Sequence, residues 1–157
     1  MSTTVVLLDH TDPATAAAIH AIRMAAYAQE AALLRADPFP PLERTVEDVR
    51  ADPAQHYGAH LDGMLAGVVS LACGEDVVDI ESLVVAPACQ RRGIGAALVR
   101  FSITHAGRRR LTVSTGVGNL PAVALYRSLG FAETGRRLVG PQPLEVAAFV
   151  RPPGQPA

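Results

Sequence analysis

Residues 79–106, DIESLVVAPACQRRGIGAALVRFSITHA, constrain the fold more than any other stretch of the chain. Within 80–86 the apolar residues Ile80, Leu83, Val84 and Val85 run almost unbroken, as in a strand buried on both faces. Pro87 stops that strand, because proline has no N–H to give to a ladder. Past Gln90-Arg91-Arg92-Gly93-Ile94-Gly95, apolar residues return at Ile94, Ala97, Leu98, Phe101 and Ile103, close to helical period. A buried strand feeding a glycine turn that opens a helix is a construction suited to phosphate. Glycines admit close backbone approach, the first N–H groups of the helix lack internal partners, and the helix dipole favours an anion there.

Two common phosphate motifs do not fit. The dinucleotide pattern GxGxxG fails because Leu98 stands where a third glycine belongs, and the nucleotide P-loop fails because the chain contains no lysine. What remains is Gln90-x-x-Gly93-x-Gly95 after a buried strand, preceded by Glu81-Ser-Leu-Val-Val-Ala-Pro87. This resembles the coenzyme A-binding signature (Q/R-x-x-G-x-G/A) of the GNAT superfamily of N-acetyltransferases. About thirty residues on, Asn119-Leu-Pro-Ala122-Val-Ala-Leu125-Tyr126-Arg-Ser-Leu-Gly130-Phe131 resembles that family's N-x-x-A-x-x-L-Y-x-x-x-G-F element. The two motifs stand in the family's order and separation. The resemblance covers residues 64–150 well, and the N-terminal third only in layout.

The 157 residues suit one domain with its own core, expected over 1–150, followed by a tail at 151–157. Apolar residues make up 49% and charged residues 18%, a globular balance, and a net charge of −1 gives no reason to expect nucleic acid or an anionic membrane as partner. All fourteen basic residues are arginine, read as genomic composition before function. Cys73 and Cys89 form neither a CxxC nor a disulfide framework. With no signal-type segment and no membrane-length apolar run, the expectation is a cytoplasmic protein.

In chain order the sequence predicts a strand at 4–8, then a helix started by Asp12-Pro13 and broken by the Pro-rich 37–41. A short helix over 45–50, capped by Thr45, precedes a hairpin of 56–61 and 64–72 that turns at Asp62-Gly63. After the central strand and helix, Gly107 and the following arginines end the helix, and a fifth strand covers 111–115. Asn119 caps the next helix with Pro121 in its first turn, Gly130 stops it, and strands over 131–138 and 145–150 finish the domain. The order β-αα-βββ-α-β-α-ββ is a mixed α/β arrangement with helices on both faces of one sheet. It is also the acyl-CoA N-acyltransferase fold that the resemblance implies, in which the fourth and fifth strands splay to admit the pantetheine arm.

The resemblance implies a site, acetyl-CoA as co-substrate, and direct acetyl transfer to an amine acceptor, small molecule or peptide. It assigns the coenzyme to Leu83, Val84 and Val85 on the fourth strand, to Gln90, Arg91, Arg92, Gly93, Gly95 and Ala96 at the turn, and to Asn119, Ala122 and Tyr126. Tyr126 would lie near the thioester sulfur, and Glu81 occupies the position where several of these enzymes carry a catalytic glutamate. A carboxylate has work to do there, since freeing an alkyl amine of pKa near 10.4 at neutral pH costs about 4–5 kcal/mol. Asp79 is the rival base. Arg23, Tyr27, Glu30, Arg35 and Asp37 are the polar candidates for the acceptor, Tyr27 and Glu30 foremost. Arg108–Arg110 suit a solvated helix end better than the coenzyme's 3′-phosphate. Cys89 lacks a partnered base, and His56 and His60 sit in a strand without the HExxH frame, so no metal is expected. Dimerisation is common among the resembling proteins, and the sequence does not prove it here. The competing readings are a non-catalytic acyl-CoA-binding module and an unrelated phosphate- or nucleotide-binding α/β domain.

Overall fold

Asp12 starts the first helix as expected: its carboxylate accepts the Thr15 N–H at 3.0 Å, and Pro13 occupies the first turn. The computed structural model describes residues 3–153, beginning with strand β1 (Thr3–Leu8) and helix α1 (Pro13–Leu34). α1 ends before the prolines. Arg35 turns left-handed at φ 53° and returns its N–H to the carbonyls of Ala31 and Ala32, while Pro40–Glu43 forms a 3-10 turn. Helix α2 (Val46–Ala51) opens on a capping box, in which Thr45 Oγ1 accepts from the Asp48 N–H and Asp48 accepts from the Thr45 N–H. Strands β2 (Gln55–Leu61) and β3 (Met64–Cys73) form the hairpin through Asp62 and Gly63, both at positive φ (51° and 82°).

Strand β4 (Val77–Val85) begins three residues ahead of the unbroken apolar run. Val77 and Val78 extend it past Asp79, whose carboxylate accepts the Thr112 hydroxyl at 2.6 Å from the neighbouring strand. Helix α3 (Ile94–Ala106), strand β5 (Arg110–Gly116), helix α4 (Leu120–Ser128), strand β6 (Ala132–Val139) and strand β7 (Leu144–Arg151) follow among the described residues. The element order is the expected one. Arg151 falls inside β7 and is buried, so the last strand passes the 1–150 boundary by one residue; residues 154–157 of the expected tail lie outside the described part.

The seven strands form one mixed sheet in the order β1-β2-β3-β4-β5-β7-β6, in which only β4 and β5 run parallel. Helices cover both faces. On one, Ala16 and Ile19 of α1 and Val49 of α2 pack on Val68 and Val84. On the other, Ile94, Leu98, Val99 and Ile103 of α3 pack with Val69, Leu71, Val78 and Ile80, joined by Tyr126 of α4. Ile94 and Leu98 are fully buried, each stabilising by roughly 1.5–3 kcal/mol. Gly67 lets α3 come so close: a Cβ there would lie 3.0 Å from Ile94 Cγ2, Leu98 Cδ1 and the Val84 carbonyl.

Candidate active site

β4 and β5 pair only from Val77↔Arg110 to Ile80↔Val113, although β4 runs on to Val85 and β5 to Gly116. Beyond Ile80 each strand follows a different neighbour: β4 stays with β3 as far as Val85↔Gly67, and β5 with β7 as far as Gly116↔Val146. The strands therefore splay. The Ala86 N–H bonds the Ala66 carbonyl at 2.8 Å. By strand alternation the peptides of Ser82 and Val84 also face β3, and those of Leu83 and Val85 face the gap. Val84, grouped with them by resemblance, instead turns its peptide to Val68 and its side chain into the α1–α2 core.

A bulge positions Glu81. The β3 partners step from Ser82↔Ser70 to Ile80↔Leu71, which leaves Glu81 unmatched. Ile80, Leu83 and Val85 can thus all reach the α3-side core, while Glu81 and Ser82 both line a cavity of about 360 Å³ on the α1–α2 side. Arg23, Tyr27, Arg44 and Asp52 share that lining, and Tyr27 Oη lies 2.7 Å from Ser82 Oγ in a hydrogen bond. Burial raises the Glu81 carboxyl above its ordinary pKa, with the nearby charges of Asp52 and Asp79 adding to the effect. Asp79 itself is held by Thr112 and does not line the cavity.

α3 differs from the other helices at its start. Side chains of Asp12, Thr45 and Asn119 cap α1, α2 and α4, whereas Gly93 precedes α3 at φ 78° with no side-chain cap. The first helical bond runs from the Ala97 N–H to the Gly93 carbonyl, so the N–H groups of Ile94, Gly95 and Ala96 stand outside the ladder. Gly95 lies where three elements meet, since a Cβ there would be 3.4 Å from Leu125 Cδ2 and 3.8 Å from Val85 Cγ2. Arg91 and Arg92 are exposed beside this turn, and Gln90 Nε2 donates to Gln29 Oε1 on α1 at 2.6 Å.

Asn119 Oδ1 accepts the Ala122 N–H at 3.3 Å. Two turns further, Tyr126 is 4% exposed, its ring against Phe131 (5.4 Å between centroids) and Phe149 (6.2 Å). Burial, and then the charge of Glu30, push its phenol well above the usual range. Glu30 is the unexpected member of this group. Burial raises its own carboxyl, and a hydrogen bond with Asn119 pulls it partly back. The acceptor candidates therefore divide: Arg23 and Tyr27 line the first cavity, while Glu30, Arg35 and Asp37 line a second hollow of about 400 Å³ beside the end of β5.

Sequence reasoning missed Ser82, Asp52 and Arg44, which no motif singles out, and weighed His56 only as a metal ligand. His56 is fully buried and stacked on His10 at 4.2 Å; its Nδ1 lies 3.1 Å from the Ala54 carbonyl, so Nδ1 carries the proton that is donated there. Burial, then Arg23 and His10, lower its pKa to about 4, so it is neutral at pH 7. Arg109 closes α3 by donating to the Ala106 and His105 carbonyls, a helix-end role. Among the described residues no group of three His, Cys, Asp or Glu is placed to hold a metal, and no helix is long and apolar enough to cross a membrane.

The family model described as the acetyltransferase (GNAT) family matches residues 16–131. The chain belongs to that family. Among its relatives, UPF0157 protein YqkA of Bacillus subtilis (strain 168) is 35% identical over 136 residues, 85% of this chain and 40% of that protein. N-alpha-acetyltransferase RimI of Mycobacterium tuberculosis is 35% identical over 106 residues, 64% of this chain and 66% of that one. The chain thus spans less than two thirds of the length of either relative. Its fold matches the crystal structure of the ribosomal-protein-S18-alanine N-acetyltransferase from Escherichia coli with a TM-score of 0.74 at 20% identity, covering 99% of this chain and 97% of that one. It also matches yncA from Salmonella typhimurium, solved with its cofactor acetyl-CoA, with a TM-score of 0.72 at 19% identity, covering 100% and 97%.

Proposed function

We propose that this chain transfers the acetyl group of acetyl-CoA directly to a primary amine. The observation that carries the reading is the parting of β4 and β5 beyond Ile80 and Val113. One strand then presents the free peptides of Leu83 and Val85 to the gap and the Glu81 carboxyl to a cavity.

Acetyl-CoA enters as a co-substrate and supplies an acetyl group already activated as a thioester. The residues fit it. N–H groups of Gly93, Gly95 and Ala96 at the uncapped start of α3 suit the pyrophosphate, with Gln90, Arg91 and Arg92 at the same turn. The peptides of Leu83 and Val85 are free to pair with the pantetheine amides, and Asn119 and Ala122 lie at the start of the helix that carries Tyr126.

Glu81, directly or through water, takes the proton that the acceptor ammonium must lose. Its raised pKa brings it nearer to that task, because a base works best when its pKa approaches the working pH. The Val85 N–H donates to the acetyl carbonyl oxygen, and the Tyr126 hydroxyl donates to the departing sulfur. Full proton transfer from an ordinary phenol to a thiolate is already uphill by about 2 kcal/mol, and burial of Tyr126 steepens it. Its role is a hydrogen bond.

Thermal melting with acetyl-CoA, CoA, ATP and NAD in parallel tests the coenzyme. At a hundredfold excess over Kd the coenzyme A ligands should add about 2.7 kcal/mol, a rise of roughly 5–10 °C for a domain this size. A rise with ATP or NAD instead overturns the reading. Acetyl-CoA that binds but is not consumed across a broad amine panel makes the chain an acyl-CoA-binding module.

A further inference from the structure

Arg23 is 7% exposed, and its Nε and Nη2 are both buried with no hydrogen-bond partner. A guanidinium stays charged in a protein, so two of its three nitrogens are held out of water with nothing to receive their N–H groups. Native structures pair nearly all such groups. The side chain lines the same cavity as Glu81, on the α1–α2 side of β4. Asp52 and Glu81 are close enough to influence Arg23 electrostatically, yet neither accepts from Nε or Nη2.

The identity of the two atoms is informative. Nε and Nη2 lie on one edge of the guanidinium and present two parallel N–H groups, the spacing that matches the two oxygens of a carboxylate. The charges around the cavity complete the pattern. Arg23 and Arg44 contribute two cations and Asp48, Asp52 and Glu81 three anions, of which Asp48 already accepts the Thr45 N–H in its capping box. His20 places Nε2 against the Arg44 carbonyl at 2.9 Å. Such a cavity suits a small molecule that carries one charge of each sign.

We infer that the acceptor is a free amino acid or a similarly short zwitterion, whose carboxylate pairs side-on with Nε and Nη2 of Arg23 once that edge of the guanidinium turns to the cavity, while its amine lies toward Glu81. This rests on the acetyl-transfer reading above and narrows its acceptor. The C–N bond forms as the thioester C–S bond breaks; of the two protons the ammonium nitrogen loses, the first goes to Glu81 before attack and the second, shed as the amide forms, ends on the departing sulfur, which leaves as the coenzyme A thiol. A peptide N-terminus presents an amide where the amino acid presents a carboxylate, so it leaves one Arg23 charge unmatched. The cavity therefore selects against peptide acceptors.

The test is thiol release from acetyl-CoA with the free L-amino acids, the same amino acids as carboxamides, and dipeptides, using the full chain and Arg23→Gln. The expected result is a kcat/KM at least about tenfold higher for the best free amino acid than for its carboxamide. The preference should sit mainly in KM and collapse in Arg23→Gln, with Arg23→Lys recovering part of it. Melting with acetyl-CoA checks that each variant is folded and still binds the coenzyme. Equal use of acid and carboxamide by the unmodified chain overturns the inference while acetyl transfer stands, and so does a preference that survives Arg23→Gln in a folded protein. No turnover of any amine despite a melting shift with acetyl-CoA overturns acetyl transfer, and the inference falls with it.

Discussion

Ile80 and Val113 are the last residues to face each other across the parallel β4–β5 pair. Past them the Val85 N–H points into open space, not into the ladder, so it can be removed without breaking a sheet hydrogen bond. Val85→Pro should keep the fold, with the Ala86–Ala66 bond intact, and lower kcat by about 10²–10³, the usual cost of one donor to a developing oxyanion. Circular dichroism alongside steady-state rates checks both halves of that statement. A folded Val85→Pro with unchanged kcat would exclude this N–H from catalysis.

Tyr126→Phe retains the packing on Phe131 and Phe149 and deletes only the hydroxyl. If that hydroxyl donates to the leaving sulfur, kcat should fall by about ten- to a hundredfold, the range for a hydrogen bond to a charged group. The acetyl-CoA dissociation constant, measured by calorimetry, should move much less.

Two carboxyls near the gap have raised pKa values, Glu81 and Glu30, and the pH–rate profile separates them. A base is lost when it is protonated, so kcat/KM should fall on the acid side as pH drops through the raised pKa of the working carboxyl. Glu81→Gln should abolish that limb and cost about 10²–10⁴ in rate, whereas Glu30→Gln should leave the limb in place. The opposite pattern would assign the proton to Glu30.

His56 predicts how stability depends on pH. Its folded pKa is depressed from 6.5 to about 4, so between those values the unfolded chain binds the proton and the folded chain does not. Stability therefore falls as pH drops from about 6.5 to about 4, by roughly 3 kcal/mol from this one group. Urea midpoints across that range should show the loss, and His56→Gln should flatten it even though the variant starts less stable.

Gly67→Ala puts a methyl 3.0 Å from two side chains of α3 and a backbone carbonyl of β4. Overpacking of this kind costs about 1–3 kcal/mol, and the midpoint of thermal unfolding should drop by roughly 3–10 °C. The helix that yields is the one whose uncapped start is assigned the pyrophosphate, so acetyl-CoA affinity should weaken with it.

Features written by neighbouring residues are legible in the sequence itself: the Asp12, Thr45 and Asn119 caps, the Asp62-Gly63 turn, and the stop at Gly130. The fold follows from them together with the two motifs. What cannot be read depends on partners distant in sequence. Asp79 interrupts the apolar run but is accommodated in β4 by Thr112, thirty-three residues away, so the strand reads too short. The bulge at Glu81 is a mismatch with β3 and leaves no trace in β4 alone. Arg23 has the helical spacing of the buried face, with Ala16 and Ile19, and only its charge reads as a surface residue; its burial beside Asp52 and His56 depends on segments far along the chain. Glu30 reaches Asn119 and Tyr126 across about ninety or more residues of chain.

The unmatched residue at Glu81 acts as a phase shift between two halves of one strand. Before it, the odd and even positions of β4 serve one assignment of faces; after it, the assignment is reversed. Deleting a single residue there would restore perfect alternation and rotate Glu81 or its neighbour out of the cavity, with the sheet still paired. The same offset lets one strand send Glu81 and Ser82 to one side of the sheet and Ile80, Leu83 and Val85 to the other. On the proposed reading, substitutions on α1 and α2 would reshape the cavity for a different acceptor while the α3 face, with Gly67, Gly95 and the uncapped helix start, stays as it is. One strand thus carries a fixed socket on one side and an interchangeable one on the other.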